Sequence, residues 1–231
     1  YIFYGLVHDK IGGYPTFQKP YLEDVETLNL WAMEHKLDVT KLSYHALGHV
    51  LDEYCVVSTG SALGRGCGPL LVARNELSRK QLEGGTVAIP GKYTTAAMLY
   101  RLYLPASTNL VVMRFDQIMD AVMQGEVDAG VIIHESRFTY REFGLVCIQD
   151  LGQWWEDTSK MPIPLGCIAV RRTLGSEIIE QVEQMIGASI DYARVNPDHS
   201  LPYIREHSQE LEKEVVNSHI DLYVNEFSRD L

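Results

Sequence analysis

The sequence lacks the features that mark membrane-spanning proteins and nucleic-acid-binding proteins. Its apolar stretches, such as residues 127–133, which are broken by Asp128, fall far short of the ~20 residues that a membrane-spanning helix needs. Basic residues are few, because 20 Lys and Arg stand against 31 Asp and Glu, and the formal net charge is −11. With no basic stripe to offset this charge, the sequence argues against nucleic acid or an anionic lipid surface as a partner.

The sequence also lacks the cysteine and histidine spacings of metal sites. Its four cysteines contain no C-x-x-C pair, which argues against a zinc site and against a disulfide scaffold. We therefore expect free thiols in a reducing compartment and predict a cytoplasmic location. His45 and His49 have the i, i+4 spacing of helical ligands, but no Glu completes an H-E-x-x-H motif and no third ligand is evident. The sequence predicts neither a metal nor another cofactor.

Two glycine-containing segments fail the tests for nucleotide-binding loops. The Gly91-Lys92 pair has Thr86 where a phosphate-binding loop needs its first glycine and Tyr93 where it needs Ser or Thr. The glycines of residues 60–69 do not have the spacing of a dinucleotide fingerprint, and a strand rather than a helix follows them. Cys67 in this segment is either a thiol nucleophile or a structural residue. We favour the structural role because the sequence places no histidine beside it.

What the sequence does contain is an alternation of helical and strand-like apolar spacing, which predicts an α/β protein. Residues 26–44 and 116–134 superpose without gaps at an offset of 90, and each reads as a helix, a tight turn and a strand that opens with an apolar–Asp pair. This internal correspondence predicts two similar α/β lobes. The alternative is two unrelated helix–strand pairs in one continuous sheet.

Ligands of open α/β sheets gather beyond the carboxyl ends of strands, so two facing lobes would share a cleft there. We expect the segment 41–44 and His134 on opposite walls of that cleft. Helices are predicted to begin near Ser43, running to Tyr54, and near Thr94, running to Tyr103. Their first-turn N–H groups would suit a carboxylate or carbonyl oxygen. The alternative is that Ser43 and Thr94 act as ordinary helix caps.

His134 follows the apolar run 131–133 and precedes Glu135-Ser136-Arg137. At the mouth of a buried strand, an imidazole can be partly desolvated with a pKa near neutral pH, where it can transfer protons. The alternative is a structural histidine whose ring nitrogens are satisfied by its neighbours.

Several motifs together resemble the 1,4-dihydroxy-6-naphthoate synthase family of the futalosine route to menaquinone, over essentially the whole chain. The resembling segments are residues 22–29 (LEDVETLN), 40–44 (TKLSY), 62–66 (ALGRG), 131–140 (VIIHESRFTY), 164–166 (PLG) and 223–225 (YVN). The resemblance implies a two-lobed fold like that of type 2 periplasmic binding proteins, with mixed sheets and a ligand cleft between the lobes. It implies a larger lobe of residues 1–85 plus 164–231 and a smaller lobe of residues 86–163.

The resemblance also implies an activity and a set of site residues. The family acts on cyclic dehypoxanthine futalosine as a carbon–carbon lyase, without a cofactor or metal, and His134 matches its proton acceptor. The positions that match its substrate-contacting segments are Lys41, Leu42, Ser43, Thr95 and Ala96, to which the helix start adds Thr94. The expected partner is this small-molecule substrate, and a homo-oligomer is left open. The alternative function is a non-catalytic binding protein for a small anionic or aromatic metabolite.

Overall fold

The computed structural model describes residues 1–207, 220 and 222–231. The helices are α1 Tyr4–Val7, α2 Val25–Met33, α3 Tyr44–Leu47, α4 Arg79–Gly84, α5 Thr95–Tyr103, α6 Ile118–Gln124, α7 Ser136–Thr139, α8 Leu151–Ser159, α9 Ser176–Val195 and α10 Pro197–His207. The strands are β1 Val39–Ser43, β2 Tyr54–Val56, β3 Ala62–Gly64, β4 Leu70–Ala73, β5 Val87–Ile89, β6 Leu110–Val112, β7 Ala129–Ile132, β8 Val146–Asp150 and β9 Ile163–Arg171. The sequence also predicts a helix over 211–227, which lies largely outside the described residues. Within them, no helix combines the length and apolar character that a bilayer crossing demands.

The first sheet is built around β9, which pairs antiparallel with β1, β2 and β3. Its run from Cys167 to Val170 is fully buried, as expected for a strand that is covered on both faces. Helix α9 packs its apolar stripe of Val182, Ile186 and Ile190 against this sheet. The result is a layered core of helix on sheet.

The second sheet has the order β6-β5-β7-β4-β8. Strand β5 runs parallel to β6 and β7, because α5 and α6 form the crossover connections that parallel neighbours require. Strand β4 pairs antiparallel with both β7 and β8. By strand pairing, residues 70–73 therefore belong to the second sheet, whereas the predicted division at 85/86 assigns them to the larger lobe.

Strand β9 connects the two sheets. At its start, Ile163 is buried with the second sheet's core, and Leu165 packs against the same cluster. Further along, Cys167 and Ala169 are buried in the first sheet's core. The chain therefore passes from one core to the other near residue 166.

The internal correspondence at offset 90 is visible in the structure as two helix–turn–strand units. Helix α2 and strand β1 form the first unit, and a short 3₁₀ turn at Phe115–Gln117, helix α6 and strand β7 form the second. The helix predicted over 43–54 is wrong in its length, because α3 ends at Leu47. Its continuation is replaced by a turn in which the Tyr54 N–H donates to Val50 O, after which Tyr54 enters β2.

Candidate active site

The structure brings the start of α3, which directly follows the predicted segment 41–43, into contact with the predicted segment 94–96. The His45 N–H donates to Thr95 Oγ1 at 3.5 Å, and His45 Nδ1 lies 3.3 Å from Thr94 O. Thr95 Oγ1 donates to Leu165 O at 2.9 Å. The start of α3, directly after β1, and the start of α5 therefore meet beside β9, where that strand passes between the two cores.

Ser43 ends β1 and is 2% exposed. It occupies the N-cap position of α3, but its side chain makes no capping hydrogen bond. Instead, its N–H donates to Asn29 Oδ1 at 2.9 Å, and its Oγ accepts from Asn29 Nδ2 at 3.1 Å. The capping alternative for Ser43 is therefore wrong, since Asn29 holds both of its polar groups.

Asn29 is held in turn by Glu26, one turn earlier on α2. Asn29 Nδ2 donates to Glu26 Oε2 at 3.1 Å, and the Tyr93 N–H donates to both Glu26 oxygens at 3.0 and 3.1 Å. Glu26 is 9% exposed, and its burial raises its pKa above the ordinary value. The sequence analysis missed both residues as parts of the site, although both lie in the segment 22–29 that carries the resemblance.

Lys41 and Leu42 occupy opposite faces of β1, as alternation along a strand requires. Leu42 is fully buried in the first sheet's core, so its side chain does not face a ligand. Lys41 keeps accessible surface, yet desolvation lowers the pKa of its ammonium.

Thr94 caps α5, which supports the capping alternative at this position. Its Oγ1 accepts from the Ala97 N–H at 3.2 Å and donates to Gly91 O at 2.8 Å. Thr94, Thr95 and Ala96 are each at most 4% exposed. The Thr94 hydroxyl is therefore already used within the protein. The groups of α5 that could bind a ligand are its first-turn N–H groups, which helix geometry leaves without intrahelical partners.

His134 lies two residues beyond β7, with a half-buried side chain. Its backbone adopts the left-handed conformation, with φ 58°, which is unusual for a residue other than glycine and occurs often at functional sites. The ring of Phe115 meets the imidazole edge to face, with 5.1 Å between their centroids. Because β5 and β7 are parallel neighbours, His134 follows the same edge of the sheet as the loop that leads to α5.

Arg137 anchors the loop that carries His134. Its Nη1 donates to Gly68 O at 2.7 Å, and its Nη2 contacts Asp150 Oδ2 at 2.6 Å. The Arg137 N–H also donates to His134 O at 3.3 Å. Both terminal nitrogens of the guanidinium therefore bond to other groups of the protein. These bonds hold the loop from which the imidazole projects.

The remaining candidates do not form a second reactive centre. Cys67 is 2% exposed, and burial, aided by the nearby Glu156 carboxylate, raises its pKa to about 11, so the structural role is supported. His45 Nε2 and His49 Nε2 are 3.4 Å apart, and among the described residues no third His, Cys, Asp or Glu joins them.

A cavity of about 640 Å³ opens away from these segments. Two of its carboxylates are already engaged, because Glu183 accepts from the N–H and hydroxyl of Ser58, and Asp191 pairs with Arg229. None of the predicted site residues lines it. We therefore place the candidate site at the meeting of β1, α5 and β9 rather than in this cavity.

Comparisons with known sequences agree with the motifs. A family model described as menaquinone biosynthesis matches residues 1–231. The chain is 49% identical over 231 residues to a 1,4-dihydroxy-6-naphthoate synthase of Thermus thermophilus, covering 100% of this chain and 84% of the relative. It is 42% identical over 236 aligned residues to the Streptomyces coelicolor protein of the same name, covering 100% and 83%.

Comparisons with solved structures agree with the fold. A crystal structure of an Archaeoglobus fulgidus protein matches with a TM-score of 0.93 and 38% identity, covering 99% of this chain and 85% of that one. An alkanesulfonate-binding protein of Xanthomonas axonopodis matches with a TM-score of 0.68 and 13% identity, covering 94% and 77%. These neighbours confirm the predicted fold, which is like that of type 2 periplasmic binding proteins.

Proposed function

Because this chain belongs to the menaquinone-biosynthesis family, we propose that it catalyses the conversion of cyclic dehypoxanthine futalosine to 1,4-dihydroxy-6-naphthoate. The observation that carries the proposal is the 49% identity to a 1,4-dihydroxy-6-naphthoate synthase across all 231 residues. A carbon–carbon lyase in this pathway needs a group that removes a proton and a surface that holds a polar aromatic substrate. The site residues supply candidates for both.

His134 is the proposed proton acceptor. Its half-buried imidazole projects from the edge of the second sheet, on a loop that Arg137 fixes. A proton removed from the spiro-cyclic portion of the substrate would pass to the imidazole, and the electron pair left on carbon would drive carbon–carbon cleavage. Release of the sugar-derived fragment leaves a ring system that becomes aromatic, which favours the products.

Binding is assigned to the two segments that meet beside β9. The first-turn N–H groups of Thr95 and Ala96 are suited to the substrate's aromatic carboxylate. Ser43 would present its hydroxyl, and Lys41 would contribute positive charge from the exposed face of β1. Leu42 would contact a ligand only through its backbone, since its side chain is buried.

The proposal includes two lobes that face each other across this site. Strand pairing supports a division in which β4 goes with the smaller lobe, so that the first crossing falls before Leu70 and the second near residue 166. It also includes a cytoplasmic location, which is supported by free thiols at all four cysteines.

The direct test is to incubate the protein with cyclic dehypoxanthine futalosine and follow the absorbance of the naphthoate product. We expect product to accumulate in proportion to enzyme and time. Tight binding of this compound without any turnover would contradict the lyase and favour the alternative of a non-catalytic binding protein.

A further inference from the structure

The segment 22–29 carries part of the family resemblance, yet the proposed mechanism uses none of its side chains. Asp24 caps α2 by accepting from the Glu26 N–H at 2.9 Å. Glu26 and Asn29, three residues apart, lie on the same face of that helix, and both are buried. Burying a carboxylate and an amide is costly unless every polar atom is paired, so their partners require an explanation.

The hydrogen bonds of these two side chains form a chain between the two substrate segments. Asn29 Oδ1 accepts from the Ser43 N–H, and the two hydrogens of Nδ2 go to Ser43 Oγ and Glu26 Oε2. Glu26 accepts from the N–H of Tyr93, two residues before α5 begins. Only one orientation of the Asn29 amide satisfies all three of its partners.

The loop before α5 is shaped to receive this carboxylate. Gly91 has φ +156°, and a Cβ atom at this position would lie 2.4 Å from Cδ and 2.5 Å from Oε2 of Glu26. No side chain therefore fits between the loop and the carboxylate. The loop and Glu26 form one packed contact between elements of the two sheets.

We propose that Glu26 and Asn29 are positioning residues for the reaction, which together hold the Ser43 hydroxyl and the start of α5 in one fixed arrangement. This inference rests on the proposed function, because it takes both segments as substrate contacts. Neither residue touches the substrate in this assignment. They act through Ser43 and through the backbone of residues 91–93.

An exchange of the amide and the carboxylate tests the proposal. In E26Q, the NH₂ group of the new amide would face another donor, either Asn29 Nδ2 or the Tyr93 N–H, and one hydrogen bond would be lost. In N29D, two carboxylates would face each other. In the double variant E26Q/N29D, the amide now at position 26 would donate to the carboxylate now at position 29 and accept from the Tyr93 N–H. That carboxylate would in turn accept from the Ser43 N–H and from the Ser43 hydroxyl, so every group is paired, with the charge moved to position 29 and the hydroxyl reversed from acceptor to donor.

We expect each single variant to lower kcat/KM by about tenfold or more, with a higher KM, at a temperature where every variant is folded. The double variant should recover part of that loss, because the loop before α5 regains its partner while the Ser43 hydroxyl now donates to position 29. E23Q is the matched control, since it removes a carboxylate from an exposed position in the same segment and should behave as wild type. Wild-type kcat and KM in both folded single variants, with only the thermal midpoint lowered, would overturn the proposal in favour of a purely structural network.

The double variant remains informative even where a single variant does not fold. If E26Q/N29D folds and turns over faster than either single variant, the coupling is established. If it is no better than the worse single variant, the proposal is overturned.

Amide hydrogen exchange separates this inference from the proposed function, because it needs no substrate. We expect N29A to accelerate exchange at Ser43, because its N–H loses its acceptor, and also at Tyr93, which Asn29 reaches only through Glu26. Unchanged exchange at Tyr93 would overturn the coupling. An inactive wild-type protein in which both amides respond would count against the proposed reaction and leave the coupling supported.

Discussion

The two helix–turn–strand units of this molecule have the same order of elements, but the residues that end them differ in burial and in hydrogen bonding. The unit of α2 and β1 ends at Ser43, which is 2% exposed and has both polar groups held by Asn29. The unit of α6 and β7 ends in a half-buried imidazole, His134, on a left-handed backbone. The first unit therefore holds the Ser43 hydroxyl in place, whereas the second presents an imidazole that packs against Phe115.

The difference follows from where each strand lies in its sheet. Strand β7 is internal, paired on one side with β5 and on the other with β4, so the residue that follows it emerges among neighbouring loops. Strand β1 is terminal in the order β1-β9-β2, and a helix face, rather than a second strand, orders its end. The end of β7 is therefore flanked by neighbouring strands, whereas the end of β1 is held by side-chain hydrogen bonds from α2.

The largest effect should come from replacing the group at the end of the second unit. We expect His134→Asn to reduce kcat by roughly 10²–10⁴-fold, because Asn cannot accept the proton, while substrate still binds. Asn tolerates the left-handed backbone, so the loop should keep its course. The measurements are turnover, substrate affinity and the thermal midpoint. A kcat close to that of wild type would remove His134 from its assigned role.

Next in size is the anchor of the His134 loop. Arg137→Met should lower the free energy of unfolding by about 2–4 kcal/mol, because it leaves Gly68 O and the Asp150 carboxylate without their partner. Arg65→Met is the control, since that guanidinium pairs with Glu156 at 3.5 Å and its side chain is 57% exposed. It should change stability by less than about 1 kcal/mol. Urea denaturation measures both, and equal losses would argue that Arg137 is an ordinary surface ion pair.

A smaller effect should come from the contact between the first unit and the loop before α5. Gly91→Ala places a methyl group against Glu26 at a positive φ, and we expect a loss of about 1–3 kcal/mol together with a higher KM. Gly144→Ala is the matched control, because Gly144 has φ +70° and open space where a Cβ would lie. It carries backbone strain without the clash. A KM that rises equally in both variants would show that strain, rather than the Glu26 contact, is responsible.

Sequence patterns predicted the local elements better than the contacts between them. The apolar spacing of residues 25–33 predicts a helix with the ends that α2 has, and the helix predicted to begin near Thr94 is α5, because apolar periodicity and capping are encoded within a few neighbouring residues. Residues 37–40 are predicted as a strand, which begins two residues before the observed β1 and ends three residues before it does, since a short apolar run defines a strand's presence better than its limits. The length of α3 depends on the pairing of Tyr54 with Arg171, which no local pattern encodes.

The same distinction applies to the site. His134 and the two candidate substrate segments could be proposed from the sequence because each follows or begins an element with a clear pattern. The roles of Glu26 and Asn29 could not, because their partners lie 67 and 14 residues away and only the folded chain brings them together. One detail was available and missed: Lys41 and Leu42 are adjacent in a strand, so only one of their side chains could face the cleft.

The smallest expected effect is a pH dependence of the free energy of unfolding, which arises from Glu26 in the first unit. Burial raises the pKa of Glu26 from its ordinary value of 4.5, an effect that its hydrogen bonds with Asn29 and Tyr93 only partly offset. Folding therefore favours its protonated form, so this contribution to stability is fully present below the unfolded pKa and is lost as the pH rises through the folded pKa. Between pH 7.5 and pH 5, wild type should gain stability relative to Glu26→Gln, which does not titrate. Urea denaturation of both proteins at the two pH values measures the difference. If the two stabilities change in parallel, the carboxylate titrates as it does in water, and the end of the first unit is less enclosed than its hydrogen bonds indicate.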